Sequence, residues 1–268
     1  MTGENMAKTV FLGAGKMATA IAGGMVKSGV FDAGSISACD ISRDAADRFT
    51  AATGIKAGTE IDVSNADIVV LAVKPQVLDA ALADVAGKLS GKLVISIVAG
   101  VTLERLQKFN SDCRFIRVMP NTPALAGCGA SAFAAGKNAG QEDISTVEKI
   151  LGSVGIVIKV KESDLDAVTA LSGSGPAYVF EFIKALSDGG VAEGLSRECA
   201  DLLAVQTVLG AAQMVLQTNT HPDVLKDQVT SPGGSTIRAL EVLKSGAFSG
   251  LVIEAVRAAA KRSRELGK

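Results

Sequence analysis

The 268-residue chain has no tryptophan, one tyrosine, one histidine and six prolines, and its formal net charge is −1. Each scarcity removes a class of function. Without aromatic platforms or a basic stripe, the chain lacks both the stacking surface and the electrostatic footprint of a nucleic-acid binder, and no run of like charge marks a membrane-surface protein. The single histidine, His221, stands before Pro222 with no histidine partner, so a turn residue is expected there, and neither a histidine-based triad nor a metal site is expected. Four cysteines, Cys39, Cys113, Cys128 and Cys199, show no C-x-x-C spacing and read as small apolar fillers in a reducing compartment. The opening "MTGENMAKTVFLGAGK" lacks a charged leader, a long apolar run and a small-residue cleavage site, which makes a cytoplasmic location the expectation. No membrane span and no repeat of solenoid period is visible. Small molecules are left as the favoured partners.

What is present is apolar and rich in turns: hydrophobic residues make up 48% of the chain and glycines number 29. The first part alternates β-rich runs with helical stretches. "KTVFLGAG" is a strand ending in glycines, "MATAIAGGMVKSG" a helix stopping at Gly29, "SISACD" a second strand, and "SRDAADRFTAATG" a helix capped by Ser42 and ended by Gly54. "DIVVLAV", "KLVISIVAG", "RFIRVMP" and "IVIKV" are apolar on both faces, as strands covered on two sides are. This alternation predicts a doubly wound parallel sheet of Rossmann type over residues 1–160. Beyond about residue 161 the strands cease, and residues 161–268 are expected to form an all-helical domain. Its stretch from Ser196 to Gln217 is apolar nearly all round. A domain of about a hundred residues cannot bury such a helix alone, so a second subunit is expected to cover it.

"FLGAGKMATA" carries Gly13-Ala14-Gly15-Lys16-Met17-Ala18, the G-x-G-x-x-A form of the dinucleotide fingerprint, between a strand and a helix. Gly13 permits the tight turn, Gly15 lets the backbone approach a pyrophosphate, Ala18 lets the helix pack close to the sheet, and the helix start faces the phosphates. Asp40 closes the second strand, where an acid accepts ribose hydroxyls and repels a 2′-phosphate. Ser42 and Arg43 follow at once. They could hold that phosphate, or simply cap and extend the next helix, so NADH and NADPH both stay open.

"DIVVLAVKPQ", "RVMPNTPA", "DAVTALSGSGPAYVF" and "SPGGSTIRALEVLKSG" follow in an order and spacing that resembles the pyrroline-5-carboxylate reductases, from Val10 to about Leu266. The resemblance implies an NAD(P)H-dependent reduction of 1-pyrroline-5-carboxylate to L-proline, the last step of proline biosynthesis. It also implies a Rossmann domain followed by a helical dimerisation domain, and so a homodimer or larger homo-oligomer. By the same resemblance Gly13, Ala14, Gly15, Lys16 and Met17 match the pyrophosphate turn, and Ala72, Val73, Lys74 and Pro75 a cofactor-lining loop. Met119, Pro120 and Asn121 resemble a loop bordering the nicotinamide, while Glu162, Ser235 and Thr236 match substrate-contacting positions. The chain departs from the family in "GIKAGTEIDVSNAD", which is shortened and offers no obvious equivalent of the asparagine that touches the adenosine ribose in family members. It departs again at Asp40, where several relatives carry a small hydroxyl.

An imine nitrogen is far more basic than a carbonyl oxygen, so its reduction needs no strong dedicated acid. A hydroxyl able to orient the ring and relay a proton suffices, and Thr236 is the candidate. In "VTSPGGSTIRAL", Pro232 is expected to preset the first helical turn while Gly233 and Gly234 bare the backbone. Amides from there to Thr236, with the Ser231 hydroxyl, would then cradle a carboxylate. Gly173, Ser174 and Gly175 either permit close helix packing or border the nicotinamide pocket, and Pro176 is expected to break the helix. The 3-hydroxyacid dehydrogenases share this plan but carry a catalytic lysine where Val179 stands. A nucleotide sensor would have a damaged second site, and "SPGGST" is intact.

Overall fold

The computed structural model describes residues 7–267. The chain divides into two compact units, one running up to Ser174 and including the residues from Ala259 on, the other comprising Gly175–Ala258.

The first unit begins with strand β1 (Thr9–Leu12), helix α1 (Lys16–Lys27), β2 (Ile36–Cys39), α2 (Arg43–Thr53), β3 (Ala57–Gly58) and β4 (Ile68–Leu71). It continues through α3 (Leu78–Ala83), β5 (Leu93–Ser96), α4 (Leu103–Gln107), β6 (Arg114–Met119), β7 (Gly129–Ala135), α5 (Gln141–Gly152), β8 (Gly155–Lys159) and the short α6 (Leu165–Val168). The sheet order is β3-β2-β1-β4-β5-β6-β7-β8, so the winding reverses beside β1, as in doubly wound folds. Every pairing is parallel except β6 with β7.

Strands β1, β4 and β5 are buried at every position because both of their faces are covered, whereas the edge strand β8 departs from that expectation, with Ile156 and Ile158 more than half exposed. Phe11, Phe49, Val70, Ile95 and Phe133 pack with α1 and α5 residues such as Ile21, Met25 and Val147 in one core cluster. Leu12, Leu71, Val94 and Phe115 pack with Leu78, Leu82 and Leu106 in another. Each such side chain contributes about 1.5–3 kcal/mol on full burial. Helix α2 is capped by the Ser42 hydroxyl and ends on Gly54 at φ 72°, the left-handed close that glycine allows without steric cost.

Two strands lie outside the sequence expectation. β7 reads "GASAFAA", whose small residues carry no β-branched signal, and β3 is two residues long. At the β7–β8 contact Gly129 is paired with Gly155, whose φ is 149°; a Cβ there would overlap the Gly129 backbone. Between β3 and β4 no helix forms, which leaves a groove of about 590 Å3 along β2 and β3. Lys92 Nζ holds that shortened crossover by donating to the carbonyls of Ser64 and Ala66.

The second unit consists of α7 (Gly175–Ala192), α8 (Arg197–Thr218), α9 (Pro222–Gln228), α10 (Ser235–Ser245) and the greater part of α11 (Phe248–Leu266). Arg197 donates to Asp188 and to Ser187 Oγ, both at 2.8 Å, tying α7 to α8. Hydrogen bonds from Lys184 and Arg197 hold the Asp188 carboxyl below its ordinary range. Only Ala200 and Ala204 of α8 are buried, while Leu202 and Leu216 are 70% and 75% exposed. The apolar all-round character of this helix therefore finds no counterpart inside its own unit. It is the one described helix long and apolar enough to cross a membrane by length and composition.

Candidate active site

The end of β1 is shaped by two glycines with different duties. Gly13 has φ 104°, donates its amide to the Cys39 carbonyl at 2.7 Å, and lies so near the loop after β4 that a Cβ would sit 2.5 Å from the Ala72 carbonyl oxygen. Gly15 is the N-cap of α1, with no side chain capping it, and a Cβ there would meet nothing within 4 Å. The first glycine is demanded by the protein itself. The second leaves open a space in front of a helix start whose first amides have no capping side chain, which is the cradle a pyrophosphate fits. Ala14 and Ala18 are buried behind it, Lys16 is exposed and Met17 half-buried.

Asp40 leaves the end of β2 and reaches back to this turn. Its Oδ2 accepts from the Ala14 amide at 2.9 Å and its Oδ1 from the Ser42 amide at 2.9 Å. Both carboxylate oxygens are thus held in place by the backbone. Ser42 Oγ accepts from the Ala45 amide at 3.3 Å, so it is a helix cap. Arg43 lies 3.1 Å from Asp47 across one helical turn, an exposed pair worth little in water.

The loop after β4 starts with the Ala72 amide donating to the Leu12 carbonyl at 2.8 Å. Ala72, Val73 and Pro75 are half-buried and the Lys74 side chain is exposed. The loop after β6 contains Asn121, which is 7% exposed. Its Nδ2 donates to the Ser172 carbonyl at 3.0 Å and its Oδ1 accepts from the Ala130 amide at 2.8 Å. Ser172 belongs to a π-helical turn, Thr169–Gly173. The expected helix break is thus a change of helical pitch, since the chain stays coiled from α6 into α7 and Pro176 lies in the first turn of α7, where its missing amide is tolerated.

Glu162 Oε1 accepts from the Leu103 amide at 2.7 Å and from Arg117 Nη1 at 3.0 Å. The side chain expected from the resemblance to meet substrate is here a brace between the start of α4 and β6. Arg117, 11% exposed in its side chain, escaped the sequence reading. The available signal was the second cation of "RFIRVMP", set in the middle of an otherwise apolar run.

In the second unit, the chain before α10 departs from the expectation at Pro232. The helix starts at Ser235 with Gly234 as N-cap, so Pro232 lies ahead of it, in a turn. Gly234 donates its amide to the Ser231 carbonyl at 3.1 Å and Gly233 has φ 70°, the pattern of a type II turn with proline second and glycine third. The Gly234 amide is therefore used internally. The uncapped start of α10 belongs to Ser235 and Thr236, and Thr236 is half-buried.

Residues 162–266 match the family model described as pyrroline-5-carboxylate reductase dimerisation, and residues 8–100 match the NADP oxidoreductase, coenzyme F420-dependent, model. A pyrroline-5-carboxylate reductase of Arabidopsis thaliana is 49% identical over 97% of this chain and 96% of its own length. The chain belongs to the pyrroline-5-carboxylate reductase family. The reductase of Methanosarcina acetivorans is 44% identical over 97% of this chain and 98% of its own. Among solved structures, the Coxiella burnetii reductase superposes with a TM-score of 0.91 at 39% identity, over 98% of this chain and 100% of the other. The Plasmodium falciparum reductase, solved with NADP bound, superposes with a TM-score of 0.88 at 34% identity, over 99% and 100%. The chain is an oxidoreductase with an NAD(P)-binding Rossmann unit, and its apolar α8 lies within the segment matched as the dimerisation domain.

The reductase's four thiols are unpaired and divide by environment. Burial pushes Cys39 and Cys113 up to about 11, while Cys128 and Cys199 are exposed. At pH 8 about one thousandth of a thiol of pKa 11 is thiolate, the reactive form. Titration with a chromogenic disulfide should consume Cys128 in the native protein and the buried pair, Cys39 and Cys113, only after denaturant is added. Modification of Cys39 or Cys113 without denaturant would contradict their burial.

Proposed function

We propose that this reductase converts 1-pyrroline-5-carboxylate to L-proline with NADH or NADPH, holding the substrate carboxylate at the start of α10 and its ring nitrogen against Thr236. The observation that carries this reading is the pair of uncapped helix starts, α1 behind the open space at Gly15 and α10 behind the Ser231–Gly234 turn, in a chain matched end to end by reductases. The first is suited to a pyrophosphate, the second to a small carboxylate.

The bound nicotinamide supplies a hydride to the imine carbon. The chain supplies placement and a proton path. Gly13 to Met17 receive the pyrophosphate, and Ala72 to Pro75 form an adjoining wall. Because the Gly234 amide is bonded to Ser231, the carboxylate falls to the Ser235 and Thr236 amides with the hydroxyls of Ser231 and Ser235. Gly233 and Gly234 serve by keeping that turn tight. Charge-assisted bonds of this kind contribute about 1.5–3 kcal/mol each, enough to hold a small acid without arginine. The Thr236 hydroxyl donates to or relays a proton toward the ring nitrogen as the carbon accepts hydride. Glu162 takes part through Arg117, by stiffening β6.

A second copy of the chain covers α8, which makes the working form a homodimer or a larger assembly. Unpaired thiols suit a reducing cytoplasm, the proposed location. The test is consumption of NADH or NADPH on addition of pyrroline-5-carboxylate, with proline as product. The fixed Asp40 carboxylate would meet a 2′-phosphate with like charge, so NADH is expected to be the better donor. Oxidation of a hydroxyacid with either oxidised cofactor, and no imine reduction, would replace this reading with a dehydrogenase.

A further inference from the structure

Asn121 stands at the C-terminal end of β6, the same end of the sheet as the Gly13 turn and the loop after β4. In doubly wound folds β4, β5 and β6 form the half of the sheet beyond the point where the winding reverses, opposite the half that receives the adenosine. At this position Asn121 is an unusual economy of groups: one buried amide donates to a carbonyl on the π-turn and accepts from β7. Its orientation is dictated by those partners, since exchanging Oδ1 and Nδ2 would set oxygen against oxygen and N–H against N–H.

The need for that donor is written in the chain. In a continuous α-helix the Ser172 carbonyl would accept from the amide of residue 176, and residue 176 is proline. Local winding is also altered, with the Ser174 amide donating to the Thr169 carbonyl at 2.8 Å, a bond spanning five residues. A half-buried carbonyl left without a donor is costly, and Asn121 Nδ2 provides one. A second fit lies beside it. A Cβ at Gly173 would overlap the Met119 Cε, so the π-turn and the Met119–Asn121 loop are matched by shape as well as by a bond.

We propose that Asn121 is a positioning residue of the reductase: by donating to the Ser172 carbonyl that Pro176 leaves without a partner, it fixes the π-turn beside the hydride-transfer pocket without touching cofactor or substrate. This rests on the reductase reading above for its catalytic consequence, and on geometry alone for the bond.

The test is a double-mutant cycle. Asn121→Asp keeps the shape and the acceptor for Ala130 but turns an oxygen toward Ser172. It should lower kcat about 30- to 100-fold, the scale of a misplacement near 1 Å, while cofactor affinity read by nicotinamide fluorescence stays within about twofold of wild type on the same reasoning. Pro176→Ala returns an amide to the position that can serve Ser172. In that background Asn121→Asp should lower kcat by less than about fivefold, with the losses non-additive in denaturant unfolding as well. Loss of cofactor affinity with kcat retained would make Asn121 a cofactor contact and overturn the proposal. Equal losses in the two backgrounds would overturn it too. Wild-type protein that reduces no pyrroline-5-carboxylate would sink the reductase reading, and the unfolding cycle would still decide whether Asn121 and Pro176 are coupled.

Discussion

Gly15→Ala should leave the free protein folded and within about 2 °C of its original melting temperature, yet weaken NADH and NADPH binding at least about 100-fold, because its methyl group enters the space reserved for a pyrophosphate. Gly13→Ala should behave differently. Its φ of 104° and the 2.5 Å approach of the Ala72 carbonyl oxygen strain the folded chain itself. A cost of about 3 kcal/mol, or roughly 6–12 °C in a domain of this size, is expected before any cofactor is added. Scanning fluorimetry with and without cofactor separates the two outcomes. The contrast matters more than either value, since a merely structural turn would make both substitutions act on stability alone. Normal cofactor binding by Gly15→Ala would remove the pyrophosphate from this loop.

Thr236→Ala should reduce turnover of pyrroline-5-carboxylate by about 10²–10³-fold, the range for losing one proton-transferring or orienting group. The variant keeps its backbone amide, so KM should rise only a few-fold if carboxylate binding is chiefly a backbone affair. Cofactor affinity should not change. Thr236→Ser restores the hydroxyl and should recover turnover to within about tenfold of wild type, the remainder reflecting looser χ1 control without the β-methyl. Steady-state kinetics on the three proteins read this directly, and unchanged turnover in the alanine variant would dismiss Thr236 from the chemistry.

Most of the first unit was legible because each element obeys a local rule. Strands such as "TVFL" and "IVVL" are apolar but for Thr9 and buried throughout, because they are covered on both faces, and α2 opens on Ser42 and closes on Gly54, as capping physics requires. β7 was not legible, because alanine and glycine pair in a sheet only where neighbouring strands compel them. The type II turn ahead of α10 was misread for a related reason. Pro-Gly signals either a helix start or a turn, and only the bond from Gly234 to Ser231 decides between them. The Glu162–Arg117 pair joins residues 45 positions apart, and the Asn121–Ser172 bond spans 51. No periodicity encodes partners at such range. Long-range polar bracing of this type belongs to tertiary structure, even when the residues carrying it stand in plain view.

The first unit is assembled from both extremities of the described chain: Ser263 on the last turns of α11 donates to Asp166 at 2.6 Å, and the Leu266 carbonyl lies against Gly100. During synthesis, therefore, this unit stays incomplete until the last turns of α11 have been made, although its sheet emerges first. A fragment ending at Ser174 would be born with that closing helical turn missing, so expressing the cofactor-binding half by itself should require supplying the terminal peptide in trans or grafting it on by circular permutation.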